Sequence, residues 1–419
     1  MKNNKETVCA YPWNSVYIDG SIKTCCNALS ELLTDDGNIT TLDDLDTIRD
    51  SNSWNEVKQD LLDGVQNSHC DRCWKMEPNS FRKTQNEWFP ETYDKIIEND
   101  SVKSLSLQTL TLAIGNQCNL NCRMCDPGAS SMIEKEWQRE SKHPLGRRVN
   151  LRPDVIVSDS GQSNIFLSDP RFLDFVKKNS EDLRDIYMFG GEPFIIIEEH
   201  LKFLQALVDT GNSKNILIRY STNGTNTNLR RFKDLWKNFR AVDIQVSCDG
   251  MEEVYDYIRW PSKWSKMKEN LKVYSDLNKY EDNITCTVGC TVQNFTITSA
   301  EKFRQYIKEN YALKIYYIPV DYPSEFSLKG VPLDILKKVY KENEDESNID
   351  PHFPGQEQLK SIMEDYINTH DQEESVKEYN NMLKVVKWQD EYRDQTLYDF
   401  FPDIKEWFAD NPNRNNYDD

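Results

Sequence analysis

The chain has 419 residues, enough for one enzyme-sized domain with appended pieces rather than a single small domain. Its 51 basic and 70 acidic residues leave a net charge of −19, a field that repels nucleic-acid phosphates and anionic lipid, so neither is an expected partner. Only 38% of residues are hydrophobic, yet 17 Phe, 10 Trp and 20 Tyr supply bulk for a real core, which excludes disorder throughout.

The opening segment MKNNKETVCAYPW lacks the apolar run of a signal peptide, and no stretch reaches the roughly 18 apolar residues that a membrane span needs. The expectation is a soluble cytoplasmic protein with no membrane contact. Eleven cysteines in such a compartment are poor disulfide formers, and an odd number cannot all pair. Their clustering at short spacings points to metal or redox chemistry instead.

In CAYPWNSVYIDGSIKTCC, residues 9–26, the alternating runs SVYI and SIKT flank Asp-Gly, a turn signal that predicts a hairpin with Cys9 and Cys25 at one end. CDRCW supplies a second pair, Cys70 and Cys73, at a spacing suited to metal. Four thiols make a complete site, for zinc or for an iron–sulfur cluster.

From residue 105 onward, β-rich runs (106–116, 186–191, 215–224, 242–250, 283–294 and 313–321) alternate with helical patterns such as EEHLKFLQALVD and WSKMKENLKVYSDLN. Thr298, followed three positions later by Glu301, reads as a capping box. Six strands alternating with helices predict a parallel sheet, whose chemistry gathers at the carboxyl ends of the strands. Residues 127–180, with HPLGRR and SDSGQSN, form a long connection that reads as a lid, a substrate-contacting insert or a solvated decoration. The acidic stretch 331–419 looks helical, with Val376, Tyr379, Leu383 and Val386 at helical spacing, which reads as a helix packed on the barrel or as a partner-binding helix.

CNLNCRMC, residues 118–125, follows the first of these strands and offers three thiols without a fourth. Thiolates suit sulfide-bridged iron. If Cys118, Cys122 and Cys125 bind three irons of a 4Fe–4S cube, the fourth iron keeps a position for a cosubstrate. The zinc alternative needs a distant ligand, and none of the five histidines adjoins the loop. Cys248, Cys286 and Cys290 lie in or at the ends of strands and read as core; Cys286 and Cys290 share one face, which leaves a hydrogen-atom relay as the functional alternative.

The C-x3-C-x2-C loop resembles that of the radical SAM superfamily, and further signatures follow in the family's order over residues 105–325. The resemblance implies a 4Fe–4S cluster on Cys118, Cys122 and Cys125 that reductively cleaves S-adenosylmethionine, yielding a 5′-deoxyadenosyl radical for hydrogen abstraction. It implies that GGEP (Gly190, Gly191, Glu192, Pro193) meets the amino group of that cofactor, with glycines permitting close approach and Glu192 accepting from an ammonium. Ser221 and Asn223 of STNG, and Ser247 and Asp249 of SCDG, would meet its ribose or methionine part, although Asn-Gly and Asp-Gly also serve plain turns. Arg259 would meet the carboxylate or make a surface ion pair, and Ile318 would flank adenine or fill core. Met124 stands where the family commonly has an aromatic, and a thioether can still cover an adenine face.

Cys9, Cys25, Cys70 and Cys73 resemble the twitch and SPASM auxiliary-cluster modules. Gly20 precedes Cys25 by four intervening residues, which suits Cys25 better than Cys26, and the module here comes before the barrel. The expected architecture is α/β: an auxiliary-cluster module over 1–104, a partial (β/α)6 TIM-like barrel over 105–330 and a helical extension over 331–419. The expected function is oxidative modification of a peptide or protein, with an external one-electron donor such as flavodoxin or ferredoxin. Its rivals are dehydrogenation or rearrangement of a small molecule such as an amino sugar, and a non-catalytic zinc-stabilised binding protein.

Overall fold

The computed structural model describes residues 6–19, 21–28, 35, 42–75, 81–139, 143–147, 166–311, 313–343 and 355–417. SDSGQSN and Gly20 of the Asp-Gly turn lie outside them. Among the described residues there are eight strands: β1 (Ser15–Ile18), β2 (Ile22–Lys23), β3 (Thr109–Ala113), β4 (Asp185–Phe189), β5 (Leu217–Thr222), β6 (Ala241–Ser247), β7 (Ile284–Val292) and β8 (Lys314–Pro319). They form an open, mostly parallel sheet in the order β2-β1-β3-β4-β5-β6-β7-β8, the arrangement of a partial α/β barrel. The six strands expected from 105 onward are β3 to β8. Among the described residues no helix is long and apolar enough to cross a membrane.

The hairpin forms, with Tyr17 opposite Lys23 and Ile18 opposite Ile22. It also enlarges the sheet, because β1 pairs in parallel with β3 from Ser15↔Thr109 to Ile18↔Leu112. All four residues of β1 are buried, as expected of a strand covered on both faces. Along β5 and β6 burial alternates strictly, placing Ile218, Tyr220, Val242, Ile244 and Val246 inside. On β7 the even positions Cys286, Val288, Cys290 and Val292 are all buried, which agrees with a packing role for the two cysteines.

The chain divides into two compact units. One comprises Met1–Asn116, Leu151–Tyr220 and Leu229–Val242; the other comprises Gln117–Asn150, Ser221–Asn228 and Asp243–Asp419. In the first, the helix Asn52–Leu62 starts where Ser51 Oγ accepts from Trp54 N (3.4 Å) and buries Trp54, whose indole donates to Pro12 O at 2.7 Å. The helix Ile197–Asp209 buries Leu201, Phe203, Leu204 and Leu207 and carries Glu198 and Glu199 in its first turn, where the helix dipole favours negative charge.

In the second unit, the helix Ala300–Tyr311 begins after a short 3-10 turn, Ile297–Ser299. The capping box expected there does not form: the Glu301 carboxylate takes Arg304 Nε and Nη2, both at 2.7 Å, one turn ahead. A near guanidinium outcompetes a backbone amide for a carboxylate. The C-terminal region is helical, and its longest helix, Gln372–Arg393, buries Val376, Tyr379, Leu383 and Val386 together.

Candidate active site

The cysteine loop belongs to the second unit. After Gln117 the chain turns through Leu120 N to Cys118 Sγ (3.4 Å) and Cys125 N to Cys122 O (3.1 Å), while Ser130 Oγ donates to Leu120 O (2.8 Å). Cys122 is buried; Cys118 and Cys125 are half-buried. Burial pushes the Cys122 thiol up to about 11, partly offset by Arg259, and pushes Cys125 up as well. Thiolates kept out of water need compensating positive charge, which a bound iron cluster supplies and which deprotonates them outright. Among the described residues no group of three or more Cys, His, Asp or Glu is arranged to hold a single metal ion.

Two predicted residues reach the loop's sulfurs. Asn223 Nδ2 approaches Cys118 Sγ (3.7 Å) and donates to Asn119 Oδ1 (2.9 Å), with Thr225 Oγ1 returning to Asn223 Oδ1 (2.6 Å). Arg259 Nη1 lies 3.9 Å from Cys122 Sγ. Such N–H groups facing sulfur are the outer-shell donors that tune cluster ligands.

Arg259 is no surface ion pair. It is 7% exposed and binds Asp249, itself fully buried, through Nε (2.7 Å) and Nη2 (2.6 Å). Burial opposes the Arg259 cation, but Asp249 together with Cys122, Tyr255 and Cys248 holds it above its ordinary value. The other Asp249 oxygen accepts from Thr291 N (2.7 Å) and Oγ1 (2.8 Å), so both carboxylate oxygens are engaged within the protein.

The turns after β5 and β6 need their glycines. Gly224 and Gly250 have φ of +70° and +83°, and a Cβ would meet Val246 Cγ1 at 2.6 Å and Val254 Cγ1 at 2.7 Å respectively. Ser221, Ser247 and Met124 are half-buried. Ile318 is 45% exposed, which removes the core reading at that position.

GGEP belongs to the first unit. Gly190 has φ +126°, and a Cβ there would sit 2.7 Å from Gly115 O, while Gly191 N donates to that same oxygen at 2.6 Å. Glu192 is buried and accepts from Phe194 N (3.0 Å). Pro193 O accepts from His200 Nδ1 (3.1 Å), which leaves His200 Nε2 to accept from Tyr220 Oη at 3.0 Å; Tyr220 in turn accepts from Trp236 Nε1 (3.1 Å). Burial lowers His200 to about 4, which keeps the imidazole neutral and lets Nε2 act as the acceptor in this chain.

An unfolded histidine titrates near 6.5, so between about 6.5 and 4 the unfolded chain holds a proton that the folded one refuses. Stability is complete above that window and falls as pH drops through it. Urea denaturation at pH 7 and pH 5 is expected to show a loss on the order of 2 kcal/mol from this residue. The variant His200→Gln should reduce the slope without abolishing it, because His143 is also buried and lowered to about 4.

The four N-terminal cysteines are also in the first unit, where Cys9, Cys25, Cys70 and Cys73 line one cavity with Tyr11, Pro12, Thr24, Asn27 and Arg82. Cys25 faces it; Cys26 is exposed and is not part of the lining. Burial pushes Cys9 and Cys25 up and Cys70 up to about 12, with the neighbouring thiols adding to each. Asn27 Nδ2 approaches Cys73 Sγ at 3.8 Å. The structure thus gathers these four thiols at one cavity, although among the described residues no three of them are arranged to hold a single metal ion.

Sequence reasoning misses Arg82, His200 and the charged residues that hold the cysteine loop, Arg123, Glu136, Asp390 and Arg393. Arg123 lies within CNLNCRMC itself, and a charged residue on a loop meant for burial is the one signal that marks it.

Residues 112–307 match the family model for the radical SAM superfamily. No curated protein matches. Among solved structures, the chain is similar to hexahistidine-tagged anSMEcpe with bound AdoMet, at 21% identity over 58% of this chain and 60% of that one, TM-score 0.40. It is similar to native anSMEcpe with bound AdoMet and Cp18Cys peptide, at 21% over 58% and 62%, TM-score 0.38. It is also similar to Streptococcus suis SuiB bound to S-adenosylmethionine, at 12% over 66% and 55%, TM-score 0.38. The chain thus spans 55% to 62% of the length of these three structures. The segment 112–307, which is similar to the radical SAM superfamily, holds the loop of three thiols and the strands β4 to β7.

Proposed function

We propose that this chain binds a 4Fe–4S cluster through Cys118, Cys122 and Cys125 and S-adenosylmethionine at the iron they leave open, and that it uses them to modify a peptide or protein oxidatively. The observation that carries the reading is the loop itself: three thiols within eight residues, inside the segment that matches the family model, with side-chain N–H groups of Asn223 and Arg259 directed at two of their sulfurs. When bound, this pair supplies one-electron cleavage of the sulfonium to methionine and a 5′-deoxyadenosyl radical able to take a hydrogen atom from substrate.

The protein's own part is to bind and to orient. Gly190 and Gly191 present backbone without side-chain bulk, and Glu192 offers an acceptor for the cofactor's amino group. Asn223, with Ser221 and Ser247, offers short polar groups for its hydroxyls, while Met124 and Ile318 offer apolar cover for adenine. Arg259 is kept at Cys122 by Asp249, whose work in this scheme is to hold that guanidinium. Cys9, Cys25, Cys70 and Cys73 would hold a second cluster able to accept the electron left on an oxidised substrate. That second thiol set supports oxidation, and the acidic balance suits a basic peptide; an amino sugar is the alternative substrate. An electron donor of the flavodoxin or ferredoxin type completes the scheme.

Iron and acid-labile sulfide analysis after anaerobic reconstitution tests the cofactor assignment. About eight irons with equal sulfide are expected for two cubes, and about four would leave only one. Zinc without sulfide would overturn the reading in favour of a zinc-stabilised binding protein.

A further inference from the structure

Asn121 and Arg123 flank Cys122 and are not ligands, yet both are buried and tethered. The Arg123 guanidinium lies 3.4 Å from the centroid of the Tyr257 ring and donates through Nε to Tyr257 O (2.9 Å), through Nη1 to Gln389 (3.3 Å) and through Nη2 to Gln395 (2.9 Å) and Asp390. The second Asp390 oxygen accepts from the hydroxyls of Tyr257 (3.0 Å) and Tyr417 (2.7 Å), and Gln389 Nε2 donates back to Arg123 O (3.0 Å). Asn121 donates to Glu136, whose carboxylate also takes Arg393 Nη2 at 3.1 Å.

Both ion pairs, Arg123–Asp390 and Arg393–Glu136, are buried almost completely. Asp390 and Arg393 are three residues apart at the end of the helix Gln372–Arg393 and therefore lie on one face. Buried ion pairs contribute little net stability, since desolvation offsets their attraction, but they fix geometry, and an apolar contact would stabilise the helix as well. Their placement on either side of a ligand gives that geometry a use. The helix lies outside the segment 112–307 that matches the family model.

We propose that the helix Gln372–Arg393 is a positioning element for the thiolate loop, with Asp390 acting through Arg123, and Arg393 through Glu136 and Asn121, to set the spacing of Cys118, Cys122 and Cys125 before any cluster is loaded. The proposal rests on the radical SAM reading for the identity of the group held; the tether belongs to the metal-free chain.

Hydrogen exchange on the full metal-free chain tests it at the amides of Asn121, Arg123 and Cys125, which donate to Trp260 O, Ile258 O and Cys122 O. In Asp390→Asn these amides should exchange at least about tenfold faster while those of the helix Trp264–Tyr280 keep their protection. After reconstitution, the same variant should release iron to a chelator about tenfold faster and show a shifted electron paramagnetic resonance signal for the reduced cluster. Tyr417→Phe removes one donor to Asp390 and should move each readout in the same direction by less. Wild-type exchange and iron release in Asp390→Asn would overturn the proposal, as would acceleration shared equally by Trp264–Tyr280, which marks general destabilisation. If the wild-type chain holds no iron, the proposed function fails, and the exchange measurement still decides this inference.

Discussion

Replacing Cys122 by alanine is expected to lower bound iron from about eight to about four per chain and to reduce 5′-deoxyadenosine formation to background. Cys122 is the buried member of its set and the one that Arg259 approaches, so its loss removes a ligand and leaves that guanidinium without its sulfur partner. Cys70→Ala is expected to remove about four irons as well, from the other set, while leaving part of the cofactor cleavage and impairing substrate turnover. Iron analysis and chromatographic quantitation of 5′-deoxyadenosine check both variants. Equal wild-type turnover in the two would contradict the assignment of both sites.

The second large effect is on stability. Asp249→Ala leaves the Arg259 cation buried and unpaired and strips Thr291 N and Oγ1 of their acceptor. Truncating one partner of a buried pair costs about 3–5 kcal/mol, because the other charge keeps its desolvation penalty. Urea denaturation of the metal-free protein should show a loss of that size. A change under about 1 kcal/mol would mean that water reaches the pair and that Arg259 is not held in place by Asp249.

The strands from 105 onward are legible because a parallel sheet with alternating or continuous burial writes its period into the residues. β4 to β8 all fall inside or within a residue of the runs that mark them. The thiols are legible for a similar reason, being local: three in one loop and two pairs at short spacing.

Long-range pairing is not legible. Nothing in SVYI announces that it pairs with TLTL some ninety residues on, so the N-terminal hairpin reads as a module of its own, although β1 extends the sheet in parallel. Arg259 reads as either a cofactor contact or a surface ion pair because burial, which separates the two, depends on elements distant in the chain. The same holds for Arg123, whose partner Asp390 lies 267 residues away. Local competition explains the capping box: it needs Glu301 to turn back to the Thr298 amide, and the charged Arg304 takes that carboxylate instead.

Anaerobic incubation of the reconstituted, dithionite-reduced protein with S-adenosylmethionine puts the radical chemistry itself to the test. 5′-Deoxyadenosine and methionine are expected in equal amounts, formed by the wild-type chain and not by Cys122→Ala. A reduced, cluster-loaded wild-type protein that forms no 5′-deoxyadenosine above background would contradict the proposed function.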